Sequence, residues 1–232
     1  MTSEITSSHN EQLKEIRKLA GRRWRDKLGE FVAEGEDLLE AADAAGWVAS
    51  ARYAATGSGL PGVPVAPHVM ADISQLGSGT RTIGVYPQRW SSAVGPRCVA
   101  LWGVNDPGNV GTVIRSALAF GASSVALGPG SADPYGHKAV RASMGALFSV
   151  PVARVRSVSE LPGRRIALVA REGEPLHALE GEVTFVVGAE RTGLPDDVLA
   201  ACDGVAHIPI AHADSLNAAM AATVALYEQR AR

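Results

Sequence analysis

The stretch CVALWGVNDPGNVGTVIRSALAFGASSVAL (98–127) decides the fold class. Cys98–Trp102 and Ser124–Leu127 are short apolar runs that predict buried strands. Val110–Phe120, between them, has the spacing of a helix. A strand, a helix and a second strand in this order form the unit from which parallel sheets are built.

The same alternation continues to the end of the chain and predicts an α/β fold. Further strands and helices are expected in turn at Lys138–Phe148 (helix), Arg165–Ala170 (strand), Thr184–Val187 (strand), Pro195–Ala201 (helix), Val205–Ile208 (strand) and Leu216–Arg230 (helix). The sheet is therefore expected to be parallel, with helices on both faces. Ligands bind such sheets at the carboxyl ends of the strands.

The first half of the chain predicts a smaller α/β domain. A strand is expected at Phe31–Ala33, a helix at 34–45 closed by Gly46, and strands at Trp47–Tyr53 and Thr82–Tyr86. The segment PQRWSSAVGP (87–96) is rich in proline, serine and glycine, which favours a boundary there. We expect domains at 1–90 and 97–232.

Charge is unevenly distributed along the chain. Twenty-two basic residues against 24 acidic ones leave a net charge of −2, which argues against a protein that binds nucleic acid indiscriminately. Yet the segment 14–27 holds seven basic and two acidic residues, a net charge of +5. This segment indicates either an arm that contacts RNA phosphates or a solvated helix face.

Several protein classes are excluded by what the sequence lacks. No apolar run reaches the roughly 18–20 residues that cross a bilayer, and the polar start MTSEITSSHNEQ has no secretory leader. Cys98 and Cys202 are the only cysteines, and no cysteine or histidine spacing suits a metal. We expect a cytoplasmic protein that uses no membrane and no metal.

The loop Gly103–Gly111 enters a helix and is rich in glycine, so its backbone can approach a ligand closely. It has neither the lysine of a phosphate-binding Walker loop nor the GxGxxG spacing of a dinucleotide site. Arg115 lies six residues after Asn109, on roughly the opposite face of an ideal helix. The two side chains would converge only if Asn109 lay before the helix; otherwise Arg115 reads as a surface arginine.

Two later loops carry further polar residues. Glu190 lies between two glycines in the loop 188–195, directly after a predicted strand, where an ordinary turn is the alternative to an active site. The loop 208–217 opens the last helix, and Asp214 or Ser215 is expected to cap that helix.

These three loops, in this order, resemble the SpoU-type branch of the SPOUT methyltransferases, also called TrmH-like. The similarity is carried by NDPGNVGTVIRSALAFGA (105–122), DPYGHKAVRASMGALFSVPV (133–152), VVGAERTGLPDDVL (186–199) and IPIAHADSLNAAMAATVALYE (208–228). GRRWRDKLGEFVAEGEDLLEAA (21–42) and TRTIGVYP (80–87) resemble, more loosely, the family's substrate-binding domain, which is similar to ribosomal protein folds.

The resemblance implies a function. It implies an enzyme that methylates the ribose 2′-OH of ribosomal or transfer RNA with S-adenosylmethionine and releases S-adenosylhomocysteine. A homodimer and a C-terminal trefoil knot around the cofactor are also implied. The separate N-terminal domain favours rRNA over tRNA as the target. The family's cofactor contacts fall on three residues of this chain: Gly188, Ile208 and Leu216.

The family's catalytic polar residues fall on Asn109, Arg115, Glu190, Ser215 and Asn217. Arg115 matches the arginine to which the family assigns the central role. A guanidinium does not ordinarily lose its proton. Arg115 is therefore expected to act either as a base in a low-dielectric site or as a cation that stabilises the forming alkoxide and positions RNA.

The chain departs from the family pattern at two positions. The third motif is one residue short and has His212 where glycine is common, and Arg191 follows the glutamate where a small residue is frequent. These departures bear on cofactor affinity. Contacts to RNA phosphate are expected from basic residues near both predicted domains: Arg22, Arg23, Arg25, Lys138 and Arg141.

Two other functions compete with RNA methylation. One is a nucleotide-binding enzyme of another parallel-sheet family, which the absent glycine and lysine motifs disfavour. The other is a catalytically silent RNA-binding protein that keeps the fold. The five polar motif residues argue against that alternative.

Overall fold

Two β-sheets organise the chain, and the computed structural model describes residues 3–75 and 79–230. The first sheet has the order β1-β4-β2-β3, in which only β2 and β3 run parallel. Its strands are β1 (Glu30–Glu34), β2 (Ala51–Ala55), β3 (Val63–Val65) and β4 (Thr82–Pro87). The helices of this half are α1 (Glu11–Leu19), α2 (Arg22–Leu28), α3 (Glu36–Ala44) and α4 (Pro67–Ile73).

The second sheet has eight strands, and every strand pair in it is parallel, as predicted. Its order is β10-β12-β9-β11-β6-β7-β8-β5. Those strands are β5 (Trp90–Ser91), β6 (Arg97–Leu101), β7 (Ser124–Leu127), β8 (Val152–Arg154), β9 (Arg164–Val169), β10 (Glu174–Pro175), β11 (Val183–Val187) and β12 (Gly204–His207). The helices are α5 (Pro107–Ala119), α6 (His137–Ala142), α7 (Asp196–Ala200) and α8 (Ala218–Glu228).

Helices cover both faces of the second sheet. Apolar side chains of β6 and β11 alternate between the two faces: Val99 and Phe185 join the cluster that contains α5 and α8, whereas Ala100 and Val186 join the one that contains α7. Burial on both faces explains why these strands read as continuous apolar runs in the sequence. The α/β prediction is confirmed. The trefoil knot stays a prediction.

Aromatic side chains join the two halves into one core. The ring of Phe31 on β1 lies 4.8 Å from the ring of Tyr135 and 6.0 Å from that of Phe148, both of the second half. Trp47 packs on Phe148, and its indole nitrogen donates a hydrogen bond to the Phe148 carbonyl (2.7 Å). These contacts bury the inner face of β1.

Two expectations about elements are wrong in detail. The strand expected at Trp47–Tyr53 is β2, which starts at Ala51, because Trp47 is drawn into the aromatic core. The helix expected at Lys138–Phe148 ends at Ala142, because Met144 and Gly145 both have positive φ (48° and 86°). The boundary segment 87–96 contributes β5, which pairs with β8. The split into domains at 1–90 and 97–232 stays a prediction.

Candidate active site

A cavity of about 420 Å³ opens at the carboxyl ends of β9, β11 and β12. Its apolar wall is formed by side chains of the strand ends and of the loops that follow them: Leu168, Val187, Leu194, Ile208, Ile210 and Leu216. The volume is in the range of small-molecule sites, and a mostly apolar wall with a few polar groups is typical of them. This is the edge at which the sequence predicted ligand binding.

The loop after β11 folds back on itself at the mouth of the cavity. Ala189 and Gly193 exchange two backbone hydrogen bonds of 3.1 and 2.9 Å, which close a tight hairpin around Glu190. A Cβ on Gly188 would lie 2.3 Å from the carbonyl carbon of Gly193, so only glycine allows this approach. Gly188 therefore shapes the hairpin at the mouth of the cavity.

Three polar side chains from three loops meet beside the cavity. Glu190 accepts hydrogen bonds on one carboxylate oxygen, Oε1, from the side-chain amides of Asn109 and Asn217, each at 2.5 Å. The Asn217 amide also lies 3.3 Å from the amide oxygen of Asn109. Glu190 is thereby held between the start of α5 and the start of α8, and its second oxygen, Oε2, makes no hydrogen bond among the described residues.

Asn217 begins α8. Its side-chain oxygen accepts from the backbone N–H groups of Ala219 and Met220, at 2.9 and 3.3 Å. The expectation that Asp214 or Ser215 caps this helix is wrong, because both precede the first turn and Asp214 instead pairs with Arg171 at 2.7 Å.

Helix α5 begins earlier than the sequence indicated. Asp106 is its cap, accepting from the backbone N–H of Asn109 at 3.0 Å, and Pro107 occupies the first turn. Asn109 thus lies within the helix, so the condition for its convergence with Arg115 is not met. Arg115 is exposed on α5 and makes no hydrogen bond or ion pair with any residue the structure describes.

The three residues assigned to the cofactor lie together at the cavity. Gly188, Ile208 and Leu216 all line the cavity, as does Ser215, which is exposed. Arg191, at a position where the family favours a small residue, also lines it. His212 lies on the neighbouring surface of the same loop and is exposed. Among the catalytic candidates, Arg115 alone does not reach this group of side chains within its own chain.

Four of the five basic residues expected to contact RNA are exposed, and one is not. Arg22, Arg23, Lys138 and Arg141 face solvent. Arg25 is buried, and its guanidinium contacts the carboxylate of Asp133 through two nitrogens, each at 2.8 Å. Its remaining terminal nitrogen donates to the carbonyls of Leu19 and Ala20. Arg25 therefore joins the two halves of the chain and has no free donor edge for a phosphate.

Asp133, which joins the two halves of the chain, was missed by the sequence analysis. Besides binding Arg25, it accepts a hydrogen bond from the Tyr135 backbone at 2.9 Å, which shapes the loop after β7. A carboxylate in a glycine- and proline-rich loop is a common turn residue, so the local sequence gives no sign of a partner 108 residues away.

Two titratable groups at the contact between the halves have shifted pKa values. Burial raises the pKa of Tyr135 to about 12, and its hydroxyl donates to the Arg89 carbonyl at 2.5 Å. Burial lowers the pKa of His137, an effect that Glu34 opposes and Arg141 strengthens.

The described residues contain no group of three or more histidine, cysteine, aspartate or glutamate side chains placed to hold a metal. Within residues 3–75 and 79–230, no helix has the length and apolar character to cross a membrane.

Comparisons with known proteins match both halves of the chain. The SpoU rRNA methylase family matches residues 96–227, and the MRM3-like substrate binding domain matches residues 10–78. The 23S rRNA (guanosine(2553)-2′-O)-methyltransferase RlmP of Bacillus subtilis is 28% identical over 98% of this chain and 99% of its own length.

Solved structures share the architecture. An AdoMet-bound rRNA methyltransferase from Sinorhizobium meliloti superposes with a TM-score of 0.86 at 30% identity, covering 97% of this chain and 96% of that one. The SpoU methyltransferase AviRb from Streptomyces viridochromogenes, in complex with AdoMet, superposes with a TM-score of 0.83 at 26% identity, covering 95% and 97%.

Proposed function

The chain belongs to the SpoU rRNA methylase family, and on that basis we propose that it transfers a methyl group from S-adenosylmethionine to a ribose 2′-OH of ribosomal RNA. S-adenosylhomocysteine is the second product. RlmP and the Sinorhizobium meliloti enzyme, which each match nearly the whole chain, act on rRNA by name. A separate N-terminal substrate-binding domain suits a structured rRNA better than tRNA.

The observation that carries this proposal is the placement of Glu190. A carboxylate is held by two amides at the mouth of a mostly apolar cavity, on loops that follow three different strands. Such a site orients a polar substrate group beside a ligand bound in the cavity.

The cavity fits S-adenosylmethionine. Its volume of about 420 Å³ is sufficient for a nucleoside-sized ligand, and the close approach of Gly188 to Gly193 shapes the hairpin that lines it. Gly188, Ile208 and Leu216 would hold the cofactor, with Ser215 and Arg191 at its polar end. When bound, the cofactor supplies a methyl group on a sulfonium centre, which reacts by in-line displacement. The knot around this cavity remains part of the proposal.

Residues of the protein orient the hydroxyl and either accept its proton or stabilise the negative charge that develops on its oxygen. The ribose 2′-OH must lose a proton as its oxygen forms the new bond to carbon, so a negative charge develops at that oxygen. Glu190, with one oxygen free of hydrogen bonds, is placed to orient the nucleotide from the cavity side. Arg115 is proposed to stabilise the developing charge or accept the proton.

Arg115 requires a second subunit for this role. It is exposed on α5 and outside the cavity of its own chain, close to an apolar face formed by Leu118 of α5 and Met220, Val224 and Tyr227 of α8. These four side chains are 38–55% exposed. Contiguous apolar surface of this kind marks an interface. We propose a homodimer in which this face is covered and Arg115 approaches the partner's cavity.

The proposed place of action is the cytoplasm. Cys98 and Cys202 are free thiols, which suits a reducing compartment where rRNA is modified.

The test is methyl transfer from labelled S-adenosylmethionine to unmodified 16S and 23S rRNA and to tRNA, with mapping of 2′-O-methyl sites. We expect one ribose in rRNA to be methylated, and Arg115→Ala to abolish the signal. Binding of RNA without methyl transfer would instead favour a catalytically silent RNA-binding protein. Label in tRNA alone would contradict the rRNA assignment.

A further inference from the structure

A second cavity, of about 270 Å³, lies on the same sheet edge as the first, at the carboxyl ends of β7 and β8. Of helix α2, Arg22 lines this cavity. Three arginines line it: Arg22 of α2, Arg154 at the end of β8, and Arg156 just beyond. The loop 128–132, which follows β7, forms another part of its wall.

The charge of this cavity is positive. Asp26 is 3.4 Å from Arg154 and 3.7 Å from Arg22, and both contacts are exposed, long and therefore weak. The second nearby carboxylate, Asp133, is neutralised by the buried pair with Arg25. The guanidinium of Arg156 has no hydrogen bond or ion pair among the described residues, although its backbone N–H donates to the Glu160 carboxylate at 2.8 Å. Of the charged residues that line the cavity, three are arginines and one, Asp133, is acidic.

Arg154 is held in place before any ligand binds. Its guanidinium lies 4.2 Å from the centre of the Trp90 ring, and the Trp90 indole nitrogen is itself fixed by a 3.0 Å hydrogen bond to Gln88. Stacking of this kind fixes the plane of the guanidinium and leaves its N–H edge free. Such an edge suits a phosphate, which arginine binds through two parallel hydrogen bonds.

The two cavities are connected by loops in contact. A Cβ on Gly130, at the basic cavity, would lie 3.2 Å from the Cα of Gly103, and a Cβ on Gly103 would lie 3.6 Å from the Cβ of Ala189 beside Glu190. Between β11 and β7 or β8 there are two to three strand spacings, roughly 10–15 Å. An RNA strand that presents its ribose at Glu190 therefore has the basic cavity within reach along this edge.

We propose that the cavity formed by Arg22, Arg154 and Arg156 binds a backbone phosphate of the RNA substrate close to the methylated nucleotide. This inference rests on the proposed function, because it requires the RNA to be bound at the first cavity. In this proposal Trp90 is a positioning residue, because its ring holds the guanidinium of Arg154 that binds the phosphate. It also assigns to the methyltransferase half of the chain an RNA contact that does not depend on the N-terminal domain alone.

The experiment measures the dissociation constant of an unmodified 23S rRNA transcript at a series of salt concentrations, for wild type, Arg154→Gln and Arg156→Gln. Each removed phosphate contact should weaken binding several-fold and reduce the slope of log K against log salt by about 0.7–0.9. The matched control is Arg164→Gln, which removes an exposed arginine at the opposite, amino-terminal edge of the sheet and should leave the slope unchanged.

Two further variants sharpen the result. Asp26→Asn removes the competing carboxylate and should tighten RNA binding. Arg154→Lys keeps the charge but not the planar stacking, and should bind with an affinity between those of wild type and Arg154→Gln. Cofactor affinity, measured by calorimetry with S-adenosylmethionine, should be unchanged in all of them.

The inference is overturned if Arg154→Gln and Arg156→Gln show the same affinity and salt slope as Arg164→Gln while the wild type binds and methylates the transcript. If the wild type neither binds nor methylates rRNA, the proposed function itself fails, and this inference fails with it.

Discussion

Glu190 and Asn217 are joined by a hydrogen bond of 2.5 Å between a carboxylate oxygen and a side-chain amide, although 27 residues separate them. The other atom of the same amide caps α8. One side chain therefore fixes the start of the last helix and the position of the carboxylate together.

The two tasks of Asn217 are separable by substitution. Asn217→Ala should lower the free energy of unfolding by about 0.5–2 kcal/mol, because the cap is lost. Asn217→Asp keeps a capping oxygen but replaces the amide donor with a second carboxylate facing Glu190. Methyl transfer should fall by about a hundredfold in both, since Glu190 is displaced. Denaturant unfolding and initial rates check this, and a fully active Asn217→Asp variant would contradict it.

Gly188→Ala should abolish cofactor binding. The added methyl would meet the Gly193 carbonyl carbon at 2.3 Å and force the hairpin around Glu190 open. The control is Gly181→Ala, at an exposed positive-φ glycine with no atom near the new methyl, where backbone strain costs about 1 kcal/mol. Calorimetric titration with S-adenosylmethionine should show no heat for the first variant and wild-type affinity for the second.

If Arg115 acts on the partner's site, two inactive variants should restore activity when they are combined in one dimer. Arg115→Ala and Glu190→Gln should each be inactive alone. Random mixing makes about half of the dimers mixed, and each mixed dimer regains one of its two sites. Refolded or co-expressed mixtures should therefore reach about a quarter of wild-type activity. A mixture as inactive as its components would show that Arg115 serves its own chain.

Arg25→Ala should destabilise the protein by about 3–5 kcal/mol, because it leaves the carboxylate of Asp133 buried without its partner. Arg23→Ala, two residues away and exposed, should change the free energy of unfolding by less than about 0.5 kcal/mol. Urea unfolding at one protein concentration compares the two. Equal effects would mean that the Arg25–Asp133 pair does not hold the halves together.

His137 predicts a pH dependence of stability. Its pKa is lowered by burial from the ordinary value near 6.5, so the folded protein binds the proton more weakly than the unfolded chain. Stability should therefore be highest above pH 6.5 and should fall as the pH drops below 6.5 towards the folded-state pKa. Glu34 and Arg141 face this ring and act in opposite directions on it.

The measurement is the free energy of unfolding between pH 5 and pH 8 for wild type, His137→Gln and the exposed control His9→Gln. The loss of stability below pH 6.5 should shrink only in His137→Gln. A larger loss in that variant would reverse the assigned sign.

The loops of the second sheet were predictable because their signals are local. Gly188 and Gly193, Glu190 after an apolar strand, and the polar start of α8 each stand next to a strong strand or helix pattern. The parallel order of the strands then brings Asn109, Glu190 and Asn217 to one edge. Two helix starts were misplaced. That of α5 was missed because the cap Asp106 and Pro107 resemble loop residues when read without the helix they begin. That of α8 was missed because Asp214 and Ser215, just before Asn217, are capping residue types as well.

The first half was harder to predict because distant contacts decide it. Trp47 reads as a strand residue but packs on Phe148, which lies 101 residues away. Arg25 reads as one of seven basic residues in an exposed segment, yet its partner Asp133 lies 108 residues further along the chain. Neither partner leaves a local pattern, so only the assembled fold distinguishes Arg25 from Arg22 and Arg23.

The docking of the two halves has a consequence for the choice of substrate. Phe31, Trp47 and the Arg25–Asp133 pair fix α2 against the sheet that carries the cavity. We therefore expect the distance from the basic face of α2 to Glu190 to stay nearly unchanged when RNA binds. Such an enzyme selects by preformed geometry: it modifies the RNA whose own tertiary structure already presents a ribose at that fixed separation, and it rejects a chemically identical nucleotide elsewhere.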